Sequence, residues 1–407
     1  MRSPRHVLSI SVVLLLFMAL GSLGAARSAS ADNDGQTLYV NLNRPASPDG
    51  DSCKQPNYNH IQDAVNAAAA GDRIVVCDGT YTEQVTVPKS LDISGQGDAV
   101  IKAPSPMTSP KAIVRITGSA TNASVTNLTI TGPGGGPCDS IEYGIRVDGS
   151  ANAVITDDHI TEIQDTPFSG CQNGVAILVG RQAEGQTGTA TISHNVIDKY
   201  QKNGPTVDNT GSHATIDHNT ITGVGPTMVT AQNGVQVSRG ANADVNHNTV
   251  SGNSYTGADS GCPAPCSEAT GILPYQAGTA TRIEHNTISA NDNGVEVFTT
   301  SGLSLNHNEV RDSVADGVYF DSDTWGNTIS HNNISHSGAP PVAFDAQDTS
   351  VGSGTAGTAN TWDQNHCTTS NPAGLCGHGS NHAAAHAAAR RTTAGEGGRR
   401  AKSSPVR

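Results

Sequence analysis

The feature that most constrains this chain is a pair of short motifs that alternate along most of its length. The first motif reads IEHNTIS from residue 283, and further copies are TISHNVI (191–197), TIDHNTI (215–221), VNHNTV (245–250), LNHNEV (305–310) and ISHNNI (329–334). The second motif reads NGVEV from residue 293, with related stretches starting at residues 144, 173, 233 and 316. Repeats of 20–50 residues are typical of solenoids, so the chain is expected to form one.

The spacing of apolar residues within the motifs predicts strands. Val295 and Val297 alternate with polar neighbours, and a period of two is the strand period. A repeat this short cannot bury its own apolar face, so consecutive repeats must stack. Like positions should therefore form columns about 4.8 Å apart, the spacing of paired strands.

One polar column runs through the first motif. Its members are Asp158, Asn195, Asn219, Asn248, Asn286, Asn308 and Asn332, separated by 37, 24, 29, 38, 22 and 24 residues. An inward Asn in every coil can donate from its amide to a carbonyl of the next coil. We therefore predict a structural ladder that satisfies buried polar groups, rather than a row of catalytic residues.

These stacked HNxI and NGVxV motifs resemble those of right-handed parallel β-helix proteins of the pectate-lyase-like superfamily, over residues 60 to about 365. The resemblance implies an all-β fold, a right-handed parallel β-helix of about ten coils. The run IQDAVNAA, GDRIVV and GTY resembles the amino-terminal cap of that family. We predict a capping helix over 59–70, begun by a capping box of Asn59 and Gln62.

The chain divides into three predicted segments. Residues 1–31 read as a signal peptide, with Arg2 and Arg5 before an apolar run and Ala29-Ser30-Ala31 as the cleavage site. Residues 32–376 form the β-helix domain. Residues 377–407 are a basic tail with almost no apolar content, and we expect it to be disordered. The prediction is a secreted, extracellular protein with no membrane span.

Cysteine usage agrees with export. The eight Cys are even in number, which in an exported chain favours disulfides. We expect Cys53 with Cys77 and Cys367 with Cys376 to close the two ends, and Cys138 with Cys171 to join two adjacent loops. Cys262 and Cys266 enclose only Pro-Ala-Pro.

The net charge of the chain limits the classes of partner that it can bind. Residues 32–376 hold 14 basic and 35 acidic residues, a net charge of −21. Such a body repels nucleic acid and anionic membranes. A polyuronate would need calcium or local arginines to bridge the like charges, so calcium is a possible cofactor, and we expect a monomer.

Loop lengths point to a groove. The linkers after Ile130, Ile160, Ile221 and Val250 hold 13, 13, 12 and 20 residues, whereas later coils need only five or six. The long loops leave one corner of the solenoid and should wall a groove along coils three to seven. In the family that this chain resembles, loops at this corner form the substrate cleft.

Several charged residues are candidates for catalysis in that groove, chief among them Arg146, Asp148, Lys202 and Asp208. Asp148 and Asp208 fall in one outward column, two coils or about 10 Å apart, only marginally suited to an inverting glycosidase. Lys199, Lys202 and Arg181 could serve a polyuronate lyase, in which a base removes the proton beside a uronate and a cation stabilises the enolate. Arg146 lies in the same groove and is a further candidate. Outward charges on a solenoid are, however, often a solvated face.

Two functions remain open from sequence. One is an enzyme that binds and processes an extracellular polysaccharide, as a polysaccharide lyase or a glycoside hydrolase. The other is a non-catalytic glycan-binding or cell-envelope protein, which needs only exposed aromatic and polar groups such as Tyr143, Phe168, Tyr275 and Phe298.

A last column consists of histidines. They precede the ladder residue in six successive coils and are His194, His218, His247, His285, His307 and His331. We expect the imidazoles to stack. A linear row does not converge on one ion, so no metal site is predicted. Acid should loosen this edge, because neighbouring imidazoles disfavour one another's protonation.

Overall fold

The computed structural model describes residues 35–119, 121–258 and 268–377, which form a single solenoid of three parallel sheets. Each coil runs from sheet 1 through a tight bend to sheet 3, then through a loop of variable length to sheet 2. Ten coils hold one strand from each sheet, as predicted, and the right-handed parallel β-helix is confirmed. The predicted signal peptide, most of the basic tail and the Cys262–Cys266 pair lie outside the described residues.

Sheet 1 has twelve strands and carries the first half of the HN motif. Its strands are β1 (Thr37–Val40), β2 (Arg73–Val76), β5 (Asp92–Gly95), β8 (Asn122–Thr126), β11 (Ala151–Thr156), β14 (Gly188–Ser193), β17 (His213–Asp217), β20 (Asn242–Asn246), β23 (Arg282–Glu284), β26 (Ser304–Asn306), β29 (Thr328–Ser330) and β32 (Thr361–Asp363).

Sheet 3 has ten short strands that carry the second half of the HN motif. They are β3 (Gly79–Thr82), β6 (Ala99–Lys102), β9 (Thr129–Thr131), β12 (His159–Thr161), β15 (Val196–Asp198), β18 (Thr220–Thr222), β21 (Thr249–Ser251), β24 (Thr287–Ser289), β27 (Glu309–Arg311) and β30 (Asn333–Ser335).

Sheet 2 has eleven strands and carries the NGVxV motif. Its strands are β4 (Val85–Val87), β7 (Ala112–Thr117), β10 (Tyr143–Asp148), β13 (Val175–Val179), β16 (Asn203–Asp208), β19 (Asn233–Ser238), β22 (Thr270–Tyr275), β25 (Asn293–Val297), β28 (Val318–Phe320), β31 (Ala346–Asp348) and β33 (Ser370–Asn371).

The core is a stack of aliphatic residues inside the three sheets. Ile155, Ile192 and Ile216 are fully buried partners on consecutive strands of sheet 1. Every coil buries equivalent side chains, so no coil is stable alone and each supports its neighbours. None of the helices among the described residues is long and apolar enough to cross a membrane.

The amino-terminal helix α1 (Ile61–Ala67) packs Ile61, Ala64 and Val65 over the first coil. It is shorter than the predicted 59–70, and the capping box is not formed. The carboxylate of Glu83 instead accepts bonds from the Ile61 and Gln62 amides at 3.0 and 2.9 Å. Asn59 donates to the Asn41 and Arg44 carbonyls.

The polar ladder is formed as predicted. Asn219, for example, donates from its side-chain amide to the Ile192 carbonyl and to Asn248 Oδ1, at 2.8 and 2.9 Å. Asn248 Oδ1 also accepts the Asn219 backbone N–H. The ladder extends one coil further than predicted, because Asn332 donates to Asn365. These bonds satisfy the polar groups at each buried bend.

Asp158 is the one acid in this ladder. It is buried, and its Oδ1 accepts the Leu128 amide at 2.8 Å while Oδ2 has no partner. Burial raises the pKa of this carboxyl to about 8. Protonation lets the acid donate where its Asn neighbours donate, toward the sheet 1 carbonyl of the preceding coil. Asp158 therefore acts in the ladder as a neutral side chain.

Three disulfides lie where they were predicted. Cys53–Cys77 and Cys367–Cys376 close the two ends, and Cys138–Cys171 joins the loops of coils three and four. Lys111 adds a bond from its ammonium to the Asp139 carbonyl beside the third disulfide. The two loops are thus held to each other and to sheet 2.

Candidate functional site

The outer face of sheet 2 presents two columns of side chains beside the long loops. The first column consists of Arg115, Arg146, Leu178, Thr206, Gln236, Leu273, Glu296, Tyr319 and Gln347. The second column includes Asp148, Asp208, Ser238, Tyr275 and Phe298. Most of these outward side chains are buried or half-buried, so this face is not simply solvated.

Alignment of the NGV motifs predicts that Arg146 pairs with Ala176 and Asp148 with Leu178, but the register of coil four differs. Arg146 pairs with Leu178, which therefore does not share a column with Asp148. Gly174 has φ of +77°, which places it in the turn before the strand rather than at the strand's first Gly position. Ala176 takes that position instead. This two-residue shift of the strand register brings Ala112, Tyr143, Val175 and Leu178 together in an apolar cluster on the outer face.

Arg146 and Asp148 lie together in a buried ion cluster. Arg146 Nε lies 2.6 Å from Asp148 Oδ2, and Arg115 Nη2 reaches the same oxygen at 3.0 Å. Glu184, on the loop after β13, also pairs with Arg146. Burial acts to lower the pKa of Arg146, but the hydrogen bond to Glu184 and the nearby carboxylates raise it above its usual value. The guanidinium is therefore held charged by its carboxylate neighbours, although its Nε has no hydrogen-bond partner among the described residues.

The other two predicted residues are also engaged in local structure. Asp208 accepts bonds from the Gln182 amide at 2.7 Å, from Ser238 at 2.8 Å and from Arg239 at 3.0 Å. Lys202 donates to the Ala231 carbonyl at 2.7 Å, which anchors the loop of coil six. The four predicted residues thus do not gather around one point.

The long loops are organised around another acid, Asp165. Its carboxylate accepts bonds from Ser140 on the preceding loop and from Ser169, Asn173 and Gln201. Burial would raise the pKa of Asp165, but these hydrogen bonds more than offset it and hold the pKa below its usual value. This network fixes the loops of coils three and four beside sheet 2.

Two carboxyls near the carboxyl-terminal end of the outer face of sheet 2, Glu296 and Asp316, have raised pKa values. Burial raises the pKa of Glu296 to about 7, and the negative charge of Asp316 contributes in the same direction. Burial likewise raises the pKa of Asp316 to about 6. Thr270 Oγ1 donates to Glu296 at 2.7 Å, and the Phe344 amide donates to Asp316 at 2.7 Å. In the described part of the chain, neither carboxylate forms an ion pair.

Aromatic rings adjoin Glu296. Tyr319 is its partner on the next strand, and the rings of Phe298 and Tyr319 lie 6.1 Å apart. Tyr275, which lies on the preceding coil, pairs with Phe298 and is 38% exposed. Only 4% of the residues are aromatic, so three rings at one place are a concentration. We call Tyr275, Glu296, Phe298, Asp316 and Tyr319 the acidic–aromatic patch.

The patch can carry out acid–base chemistry. Two neighbouring carboxyls whose pKa values are raised to different extents can divide the roles of acid and base near neutral pH. Aromatic rings offer apolar faces against which a sugar ring can pack. The patch therefore has the groups that cleavage of a glycosidic bond requires.

Glu296 lies between the alternating Val295 and Val297 of the NGVEV motif, so the strand period predicts that it points outward, but nothing local selects it as a site residue. Asp316 was part of a recognised DGV motif, and its acidic character at the Asn position of that motif was the available signal. The raised pKa values depend on burial by the surrounding coils, which no local pattern reports.

Two clusters among the described residues have metal-ligand groups close together. Cys138, Asp165 and Cys171 form one, but both sulfurs are in the disulfide. The other is Asp217, His218 and His247, at the bend between sheets 1 and 3. Calcium remains a prediction.

Comparisons with known proteins agree with this architecture. The family model described as "Right handed beta helix region" matches residues 182–371. The Dettilon tailspike protein gp208 aligns with a TM-score of 0.54 and 15% identity, over 81% of this chain and 61% of the tailspike chain. This chain thus spans about three fifths of the length of that tailspike. No curated protein sequence matches.

Enzyme structures align more loosely. The alginate lyase from Paenibacillus sp. str. FPU-7 has a TM-score of 0.42 and 15% identity, over 82% of this chain and 99% of the lyase. The Azotobacter vinelandii mannuronan C-5 epimerase AlgE4 A-module has a TM-score of 0.43 and 14% identity, over 81% and 98%. At these identities the likeness concerns the fold alone.

Proposed function

Because this chain is a right-handed parallel β-helix protein with the fold of the pectate-lyase-like superfamily, we propose that it is a secreted protein that binds an extracellular polysaccharide and cleaves a glycosidic bond. The bond is cleaved at the acidic–aromatic patch on the outer face of sheet 2. Glu296 donates a proton to the leaving oxygen. Asp316, which is the more acidic of the two, takes a proton from a water molecule, whose oxygen bonds to the anomeric carbon as the leaving oxygen departs.

One observation carries this proposal: two electrostatically coupled carboxyls that form no ion pair among the described residues lie beside three aromatic rings on an outward face. Asp148 and Asp208 on the same face, by contrast, are paired with arginines. Desolvation keeps a fraction of Glu296 protonated near pH 7, which a general acid requires.

The charge of the protein bears on the substrate. A body with a net charge of −21 and an acidic site repel a polyanion. We therefore propose a neutral or amino-sugar polysaccharide, rather than a polyuronate. A uronate lyase needs a free base and a free cation, whereas Lys202 and Arg146 are engaged in local contacts.

A non-catalytic glycan-binding protein is the second candidate. The aromatic rings of the patch favour it, because ring stacking alone supports binding. In that case Glu296 and Asp316 would serve only as hydrogen-bond partners for hydroxyl groups.

The test is incubation with a panel of neutral, amino-sugar and uronate polymers. Release of reducing ends and absorbance near 235 nm are followed in parallel, so that hydrolysis and elimination are separated. Glu296→Gln is compared with Glu309→Gln, which changes an exposed acid on β27 of sheet 3. Binding of each variant to the cleaved polymer is measured in the same series.

We expect reducing ends without the absorbance, and about a 10²–10⁴-fold loss of rate in Glu296→Gln, the usual contribution of a general acid. Glu309→Gln should match the wild type, and both variants should still bind the polymer. Full activity in Glu296→Gln would contradict the assignment. Binding without cleavage by the wild type would favour the non-catalytic function.

A further inference from the structure

The row of histidines at the bend between sheets 1 and 3 is a continuous stack. Adjacent rings from His194 to His331 have centroids 4.8–5.2 Å apart and planes within 7° of parallel. The side chains are exposed. This row lies on a different corner from the acidic–aromatic patch and has no part in the proposed cleavage.

The backbone at the bend explains why the rings project outward together. All six histidines have φ between 51° and 57°, the left-handed region. The equivalent position is occupied by Asn127 and Asp157 in the two coils before the row and by Gln364 in the coil after it, with φ of 55°, 58° and 52°. The position therefore accepts Asn without change in the bend, and nothing in the fold requires imidazole there.

Among the described residues, one carboxylate contacts two members of the row. Asp217 Oδ2 lies 2.8 Å from His218 Nδ1, and Asp217 Oδ1 lies 3.6 Å from His247 Nδ1 on the next coil. One ligand atom from each of these three residues lies within 4.8 Å of the other two. Two neighbouring imidazoles thus turn the same nitrogen toward one acid, which supplies the convergence that a bare row does not have.

We propose that Asp217, His218 and His247 bind one divalent transition-metal ion on the surface of the solenoid. An ion at the centre of three atoms 4.8 Å apart would lie about 2.8 Å from each, against roughly 2.0–2.1 Å for zinc to nitrogen. Exposed side chains can close that gap by small rotations about χ1 and χ2. The site needs no movement of the backbone.

The donor set selects the class of ion. Two imidazoles and one carboxylate suit zinc, copper or nickel, whereas calcium and magnesium prefer oxygen ligands. His285, stacked on His247 with centroids 5.0 Å apart, is the nearest source of a further ligand on the far side of the pair. The remaining positions stay open to water.

The test is isothermal titration of the full chain with Ni²⁺ and with Zn²⁺. His378, His382 and His386 in the carboxyl-terminal segment are replaced by Ala throughout, because their spacing could bind the same ions. His218→Asn removes a proposed ligand and keeps a residue that the bend accepts. His331→Asn is the matched control, since it lies in the same row after Ser330 rather than after an acid.

We expect about one ion per chain, at least a tenfold loss of affinity in His218→Asn and in Asp217→Asn, and unchanged binding in His331→Asn. Circular dichroism of each variant verifies the fold. Equal affinity of His218→Asn and the parent chain would overturn the proposal. So would no binding by the parent chain, or an equal loss in His331→Asn, which would assign binding to the row as a whole.

Discussion

The acids in one half of the outer face of sheet 2 are ion-paired with arginines, whereas those in the other half form no ion pair among the described residues. In coils three to six, Asp148 and Asp208 are paired with Arg115, Arg146 and Arg239. In coils eight and nine, Glu296 and Asp316 form no ion pair among the described residues, and burial raises both pKa values. The difference teaches that the charged residues most conspicuous in sequence are paired with arginines in the fold, whereas the two acids proposed to react are desolvated and form no ion pair among the described residues.

The largest effect should come from breaking the ion cluster of the first half. Arg146→Ala leaves Asp148 buried with only Arg115 as a partner, and uncompensated buried charge destabilises a protein strongly. We expect a loss of about 3 kcal/mol in the free energy of unfolding, measured by denaturant titration. Arg311→Ala, which breaks an exposed pair, should cost less than about 1 kcal/mol. Equal costs would show that the cluster does not stabilise the fold.

The pH dependence of cleavage tests whether the acids of the second half act as catalytic acid and base. Glu296 must be protonated and Asp316 ionised, so the rate should be highest between their pKa values of about 7 and about 6. The rate should fall about tenfold for each pH unit above or below this window, or about 100-fold over two units. Kinetics from pH 4 to pH 9 test this. A rate independent of pH would exclude the pair as acid and base.

Asp158 differs from both pairs of acids, because it is buried in the polar ladder and has a structural role. Its folded pKa of about 8 lies above the usual value of 3.8, so the bound proton stabilises the fold below about pH 4. That stabilisation is lost as the pH rises through 8. Between pH 5.0 and 6.5 the wild type should lose about 2 kcal/mol relative to Asp158→Asn, at 1.36 kcal/mol per unit. Parallel stability curves for the two proteins would contradict this.

The smallest effect concerns the aromatic rings of the second half. Phe298→Ala should weaken binding of the cleaved polymer about fivefold, since an aromatic contact contributes about 1 kcal/mol. Phe168→Ala removes a ring from the loop of coil four and should leave binding unchanged. Affinity gel electrophoresis of the two variants compares them directly. A greater loss in Phe168→Ala would move the binding site to the first half.

The sequence predicted the repeating parts of the structure well. Each stacked His and every ladder Asn but Asn365 follows from one local motif, so a single alignment locates them. The Cys138–Cys171 disulfide followed because adjacent coils bring their loops together. Wherever one coil repeats the conformation of the last, local sequence is sufficient.

Prediction failed where coils differ. The register of Leu178 depends on where the turn at Gly174 ends, and a shift of two residues preserves the inward and outward alternation that the sequence reveals. The cap of α1 comes from Glu83, more than twenty residues away. The pKa values of Glu296 and Asp316 depend on burial by several coils at once.

The most direct test of the central claim is a crystal structure of the Glu296→Gln variant with an oligosaccharide of the polymer that the wild type cleaves. The account predicts sugar rings packed on Phe298 and Tyr319, with a glycosidic oxygen within hydrogen-bond distance of the residue at 296. A sugar chain bound instead over Arg146, Asp148 and Asp208, with the acidic–aromatic patch empty, would contradict it.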